Sequence, residues 1–190
     1  AGPSGVGKTE TAITLSKALL GSTDKMLTIN MSNFKEAHKV STLIGSPPGY
    51  VGFGEGGILT EFVRRQPHSL ILFDEIEKAH ESFQDMLYQL LDRGVMRDSE
   101  GLEVDFKQTI IMMTSNAADH FITEHADQLA LEANNKKVQS QLHQILEKHF
   151  KAAFLGRVNV IPYMPLSADI LHNIIKVHLD KLIHQAADNH

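Results

Sequence analysis

The 190-residue chain is 42% hydrophobic and 22% charged, enough apolar side chain to bury a core, so wholesale disorder is excluded. Its 18 basic against 23 acidic residues leave a formal charge of −5, which offers no electrostatic footprint for nucleic acid but leaves nucleotides open, since these are held by local geometry. The absence of cysteine excludes disulfides, thiolate metal sites and cysteine nucleophiles, and no apolar run reaches the roughly 18 residues of a membrane span. No signal peptide is expected at the start.

The chain opens on a glycine-rich loop, Gly2–Thr9, and helical periodicity is expected over Lys8–Leu20. A strand is expected to precede Gly2 and to lie outside the chain. Met26–Asn30 is a short apolar run that suits a strand. Residues 43–57 are too rich in glycine and proline for a helix or a central strand, yet they carry Tyr50 and Phe53. A short helix follows over Ile58–Arg65, then a strand over Leu70–Asp74. The helix Ser82–Asp92 places Phe83, Met86, Leu87, Leu90 and Leu91 on one face. Val95–Asp105 turns at Asp98–Gly101, and Thr109–Thr114 is a third strand. Asp119–Asn135 is polar and expected to be mobile. Val138, Leu142, Ile145, Leu146, Phe150 and Phe154 form a further apolar stripe, and Val158–Pro162 is expected as a fourth strand. After Tyr163–Leu166, Ser167 predicts an N-cap for a helix with Ile170, Leu171, Ile174, Ile175, Leu179, Leu182 and Ile183 inward. Apolar strands alternating with helices predict an α/β fold with a parallel sheet flanked by helices.

Two motifs carry chemistry. Gly2-Pro3-Ser4-Gly5-Val6-Gly7-Lys8-Thr9 fits the phosphate-binding pattern G-x-x-x-x-G-K-[ST]. Its backbone N–H groups can curl around phosphate oxygens, and the helix starting near Lys8 aims its positive end at the same charge. Lys8 suits the β and γ phosphates and the Thr9 hydroxyl suits Mg²⁺. The strand Leu70–Asp74 ends on Asp74-Glu75, where strand C-termini line the ligand crevice. Asp74 suits Mg²⁺, and Glu75 suits polarising a water for attack on the γ-phosphate. Together they predict a Mg-nucleotide hydrolase, without saying what the hydrolysis drives. A strand ending in solvent-facing carboxylates is the plainer reading of the second motif taken alone. The eleven histidines form no H-E-x-x-H and no compact ligand cluster, so no further metal site is expected.

GPSGVGKTE, GSPPGYVGFGEGG, LTEFVRRQPHSLILFDEIEKAH and TIIMMTSNA together resemble the second ATPase domain of the Clp unfoldases, a branch of the AAA+ family. Residues 152–163 and 88–94 resemble the ClpV branch of bacterial type VI secretion more than the ClpB disaggregases. The resemblance implies a P-loop AAA+ fold, with residues 1–164 as the large α/β subdomain lacking its first strand and 165–190 as the first helix of the small helical subdomain. It implies ATP and Mg²⁺ as cofactors, with Gly2–Thr9 as the Walker A loop and Asp74 and Glu75 as the Walker B pair. It further implies Asn116 as the sensor that helps place the attacking water, and Arg157 as the finger completing a neighbouring subunit's site. Permanent charge and a fork of donors suit a guanidinium to that role. Gly49, Tyr50, Val51 and Gly52 match the pore segment that grips a threaded polypeptide, and Val95–Asp105 resembles a second pore loop.

The resemblance also implies a homo-oligomeric, hexameric ring in the cytoplasm of a bacterium, acting on protein substrates that include secretion sheath subunits, with neither a nucleic-acid nor a membrane partner. The second-sensor region, the first ATPase ring and the N-terminal docking domain of such proteins are expected to lie outside the chain. Protease-coupled relatives carry an Ile/Leu/Val-Gly-Phe/Leu tripeptide after the first sensor. Residues 116–157 contain none, so no protease partner is expected; Val51-Gly52-Phe53 fits the pattern but lies in the pore segment. From other classes, a P-loop small-molecule kinase would use the Tyr50 segment as part of a lid, and a non-hydrolysing scaffold would not need Glu75, Asn116 and Arg157.

Overall fold

The computed structural model describes residues 1–46, 49, 56–130 and 135–188. Three parallel strands, β1 (Met26–Asn30), β2 (Leu70–Asp74) and β5 (Ile110–Met113), form a sheet in the order β1-β2-β5. Met26 pairs with Leu70 and Leu70 with Ile110, so the strands start level and their carboxyl ends converge on one rim. Leu70, Ile71, Leu72 and Phe73 of the central strand are fully buried on both faces, which explains its unbroken apolar run. The flanking strands are also short but only partly buried, and the predicted helix–strand alternation is borne out.

Helices α1 (Lys8–Leu20), α2 (Ala37–Ser41), α3 (Ile58–Arg65) and α4 (Ser82–Arg93) follow in chain order around the first two strands. α4 buries Phe83, Leu87 and Leu90 in the main core, with Phe83 edge-on to Phe73 of β2 at 5.0 Å between ring centres. This T-shaped geometry sets the positive ring edge against a negative ring face. On the opposite face of the sheet, Ala12 of α1 packs with Leu70 and Leu72 in a separate small core. The predicted ends of α1 and α3 match the structure, and α4 runs one residue beyond the expected Asp92.

The structure corrects three expectations and gives the form of a further segment. Val95–Asp105 is an antiparallel hairpin of β3 (Val95–Arg97) and β4 (Glu103–Asp105). Asp98 at its turn accepts hydrogen bonds from the N–H groups of Glu100 and Leu102, so a local Asx turn closes the hairpin without a long apolar run. Asp119–Asn135, expected as a mobile stretch, contains α5 (Asp119–Glu124) and α6 (Ala126–Ala130), and its last residue opens α7 (Asn135–Leu146). Buried Ile122 and Leu129 anchor the first two of these helices despite the polar composition.

Val158–Pro162 is not a strand. Its vicinity is held by two hydrogen bonds to Ala1: the Ala1 ammonium donates to Ile161 O at 2.9 Å, and Tyr163 N–H donates to Ala1 O at 2.7 Å. Gly2 N–H donates in turn to Ser115 O at 3.1 Å, just past β5. The apolar stripe from Val138 to Phe154 divides between α7 and the short α8 (Ala152–Leu155), with Phe150 between them.

Finally, α9 (Ala168–Asp188) is present and begins as predicted, with Ile170 N–H donating to the Ser167 hydroxyl at 3.3 Å. Its apolar residues are not inward. Ile175 is 57% exposed and Leu182 60%.

Candidate nucleotide site

Walker A loop, β2 and β5 meet at the carboxyl rim of the sheet. The loop reaches the rim because Gly2 takes a position no side chain fits: a Cβ there would lie 2.4 Å from Tyr163 O. Gly7, at φ 89°, then turns the chain into α1 in a left-handed conformation natural to glycine. No side chain caps α1, so its first N–H groups face the cleft. The cleft has a volume of about 390 Å³ and is lined by Ser4, Gly5, Gly7, Lys8, Thr9, Glu10, Asp74, Glu75, Thr114 and Asn116.

Lys8 folds back over the loop. Its Nζ donates to Gly2 O at 2.6 Å, Pro3 O at 2.6 Å and Asn116 Oδ1 at 2.7 Å, which uses all three ammonium protons on neutral acceptors. Burial pushes its pKa below the ordinary lysine value, against an upward pull from Glu77, Asp74, Asp119 and Glu75. A desolvated cation held by neutral dipoles and facing an uncapped helix start is suited to an incoming polyphosphate.

The Walker B end is organised around a residue the sequence did not single out. The Thr114 hydroxyl, one residue beyond β5, donates to Asp74 Oδ1 at 2.5 Å and accepts from Glu75 N–H at 2.9 Å. The Thr9 hydroxyl donates to the same Asp74 oxygen at 3.1 Å. Hard oxygen donors from α1 and β2 thus share one spot, the donor set Mg²⁺ prefers. Glu75 adopts φ 60° and ψ 51°, the one non-glycine residue with positive φ among the described residues. Such a conformation costs about 1–2 kcal/mol, and the Thr114 hydroxyl gives its N–H a partner there. Glu75 Oε2 lies 2.8 Å from Lys78 Nζ, and this contact raises the Lys78 pKa.

Asn116 bridges the two motifs: its Oδ1 accepts from Lys8 while its Nδ2 donates to Glu77 Oε1 at 3.2 Å. The register of β2 on β5 does hold a signal for Thr114, since Phe73 pairs with Met113 and the next residues, Asp74 and Thr114, fall side by side. Glu77 gave no signal, being one more carboxylate in a charged run.

Arg157 stands apart from this cleft. Its Nη2 donates to Asp92 Oδ1 at 2.9 Å and its Nη1 to Ala153 O at 3.2 Å, and its guanidinium carbon sits 4.1 Å from the centre of the Tyr88 ring. Of residues 49–52, expected as a pore segment, Gly49 is an exposed turn residue at φ 90°. Tyr50, Val51 and Gly52 lie outside the described residues.

A sequence profile described as the AAA domain (Cdc48 subfamily) matches residues 1–161. The chain belongs to the AAA family. The Clp resemblance read from the sequence is borne out by curated relatives of this AAA domain. The chaperone protein ClpB of Yersinia enterocolitica is 47% identical over 100% of the chain and 21% of its own length. The AAA+ ATPase ClpV1 of Pseudomonas aeruginosa is 48% identical over 96% of the chain and 20% of its own length. The chaperone protein ClpB 1 of a Synechocystis species is 46% identical over 95% and 20%. The chain thus spans about a fifth of the length of these relatives, and identities this close do not separate the ClpV from the ClpB branch. It is an ATPase domain of the Clp type, with the expected parallel sheet flanked by helices. No helix among the described residues is long and apolar enough to cross a membrane.

Proposed function

We propose that this domain hydrolyses Mg-ATP to drive the remodelling of proteins, threading them through the pore of a homo-hexameric ring. The observation that carries the reading is the convergence of Lys8, Thr9, Asp74, Glu75 and Asn116 on one cleft, with Lys8 bonded to Asn116 and Thr9 to Asp74. In this reading the N–H groups of Gly2–Thr9, Pro3 having none, and the Lys8 ammonium hold the phosphates. Thr9 and Asp74 hold Mg²⁺, which when bound neutralises charge on the phosphate oxygens.

Phosphates compete with Gly2 O, Pro3 O and Asn116 Oδ1 for Lys8. As Lys8 turns to them, Asn116 Oδ1 becomes free to accept a hydrogen from the attacking water. Glu75 takes that water's proton once its carboxylate leaves Lys78. Arg157 acts on the site of a neighbouring subunit, and Tyr50 grips the polypeptide.

The test is Glu75→Gln in the full-length protein. The amide cannot take the proton, while Asp74 and Thr9 are untouched. ATP affinity should be retained while turnover falls by about 10²–10⁴-fold, the usual contribution of a general base. Near-normal turnover removes Glu75 from that role.

The finer reading is that the substrate is the contracted sheath of type VI secretion, supported by the residues of segments 88–94 and 152–163. Assembled sheath and a heat-aggregated reporter, offered separately, decide it: sheath disassembly without disaggregation supports it, and the reverse pattern gives a ClpB-like disaggregase.

A further inference from the structure

We propose that Glu77 is a positioning residue for hydrolysis, fixing the orientation of the Asn116 carboxamide. This role rests on the water-placing role proposed above for Asn116. Lys8 has only donors and the Glu77 carboxylate only acceptors. An amide between them has one orientation that satisfies both: Oδ1 toward Lys8 Nζ at 2.7 Å and Nδ2 toward Glu77 Oε1 at 3.2 Å. The reverse orientation would set donor against donor and acceptor against acceptor.

Glu77 is itself well fixed. It lies on the helical turn Ile76–Lys78 that follows β2, and Ile76 of that turn is buried and donates its N–H to Thr114 O at 3.0 Å. Its second carboxylate oxygen, Oε2, is buried with no protein hydrogen bond among the described residues. A buried carboxylate oxygen left so is costly, and a surface role would not require it. Glu77 also leads the carboxylates that hold the Lys8 pKa up against burial.

The consequence follows from Lys8 leaving. Once the ammonium turns to phosphate, the Glu77 bond is, among the described residues, the one left to keep Asn116 Oδ1 aimed into the cleft. Without Glu77 the amide is free to rotate, and the acceptor that orients the water is present only part of the time. Binding and chemistry then separate. Removing a carboxylate near the phosphates weakens repulsion, so ATP affinity holds or improves, whereas turnover drops.

The experiment measures ATP affinity and turnover of the full-length protein carrying Glu77→Leu, Glu77→Gln, Asn116→Ala and the double variant Glu77→Leu with Asn116→Ala. Glu77→Leu should lower kcat by about tenfold, the scale of losing one orienting partner of a functional group. Its ATP Kd should be equal or tighter. Glu77→Gln should recover most of kcat, because its carbonyl end still accepts from Nδ2. In the Asn116→Ala background Glu77→Leu should cost nothing further.

Independent losses that multiply would overturn the inference, as would an unchanged kcat in Glu77→Leu beside a lowered one in Asn116→Ala. Loss of ATP binding in Glu77→Leu overturns it too, since a positioning role leaves the cleft standing. If Asn116→Ala itself keeps full turnover, the water-placing reading of Asn116 fails first and takes this one with it.

Discussion

Lys8 and Arg157 are both cations assigned to phosphate, and the structure treats them in opposite ways. Lys8 is held at the start of α1 by three neutral acceptors, two from its own loop and one from beyond β5. Arg157 is held by a carboxylate and an aromatic ring on α4, beside a bond to Ala153 O, at a site where its side chain is 34% exposed. Neutral partners release a cation to a polyphosphate with little electrostatic loss, since no opposite charge is left behind. A carboxylate partner competes with the phosphate for the same charge. On the proposed reading, the cleft is prepared for a ligand arriving within this chain, whereas Arg157 is parked on α4 and acts once drawn off it by a neighbouring site.

The largest expected effect tests the first half of that contrast. Lys8→Ala removes the cation and leaves the backbone N–H groups of the loop. ATP binding, followed by a fluorescent nucleotide, should be lost or nearly so. Unchanged affinity would mean that Lys8 points elsewhere when nucleotide arrives, and the comparison would collapse.

Arg157→Ala tests the second half. Such subunits should bind nucleotide normally and still fail to turn it over as homo-oligomers. Rings mixed with Lys8→Ala subunits should recover some activity, because an intact cleft can then face an intact arginine. Absence of recovery at every mixing ratio, with mixed assembly verified, would count against a shared site.

Tyr50→Ala separates the motor from its fuel. A tyrosine ring contacts any passing chain by apolar burial without reading its sequence, a property that binding ATP does not require. Nucleotide affinity should hold and basal hydrolysis stay within a few fold, while unfolding of a fluorescent substrate or disassembly of sheath collapses. Tyr50→Phe should keep most of that function. If Tyr50→Ala abolishes ATP binding instead, the segment belongs to the nucleotide site and the kinase-lid alternative gains ground.

A smaller effect is expected from Thr114→Val, which keeps shape and removes the hydroxyl between Asp74 and Glu75. Glu75 N–H then sits in its left-handed turn without that partner. Thermal unfolding should report a loss of about 1–3 kcal/mol, the cost of one unsatisfied group. A shift in the Mg²⁺ dependence of turnover should accompany it. No change in either would make Thr114 incidental.

The residues behind these predictions differ in how far they could be read in advance. The phosphate loop and the Asp74-Glu75 pair were legible because their chemistry is written in consecutive residues. The sheet strands were legible because burial on both faces demands an unbroken apolar run, as in Leu70–Phe73. Thr114, Glu77 and the Tyr88–Asp92 hold on Arg157 were not, since each acts across chain separations of about 40 residues or more that only folding closes. The strand expected at Val158–Pro162 failed for a related reason. A short apolar run marks what a segment would bury, while a strand also needs ladder partners, and among the described residues Val158–Pro162 joins neither sheet.

The smallest expected effect concerns Asp92, and it decides what the parking of Arg157 means. The ion pair has its Arg157 and Asp92 side chains 34% and 50% exposed, a setting in which such pairs contribute about 0–1 kcal/mol. The Tyr88 contact adds about 0.5–1 kcal/mol at so open a site. Together these are a weak hold, one that a neighbouring phosphate can outcompete. Asp92→Asn keeps the size of the side chain and removes its charge. If the carboxylate only parks the arginine, its removal leaves ATP affinity unchanged and raises the turnover of the assembled ring by no more than several-fold. A fall approaching that of Arg157→Ala would show the opposite: that Asp92 aims Arg157 at its target, and that the pair is kept during the reaction. Monomeric protein should show neither change, because Arg157 is absent from the lining of its own cleft. Comparing dilute and assembled protein on the same variant therefore separates an effect on the arginine from a general effect on α4.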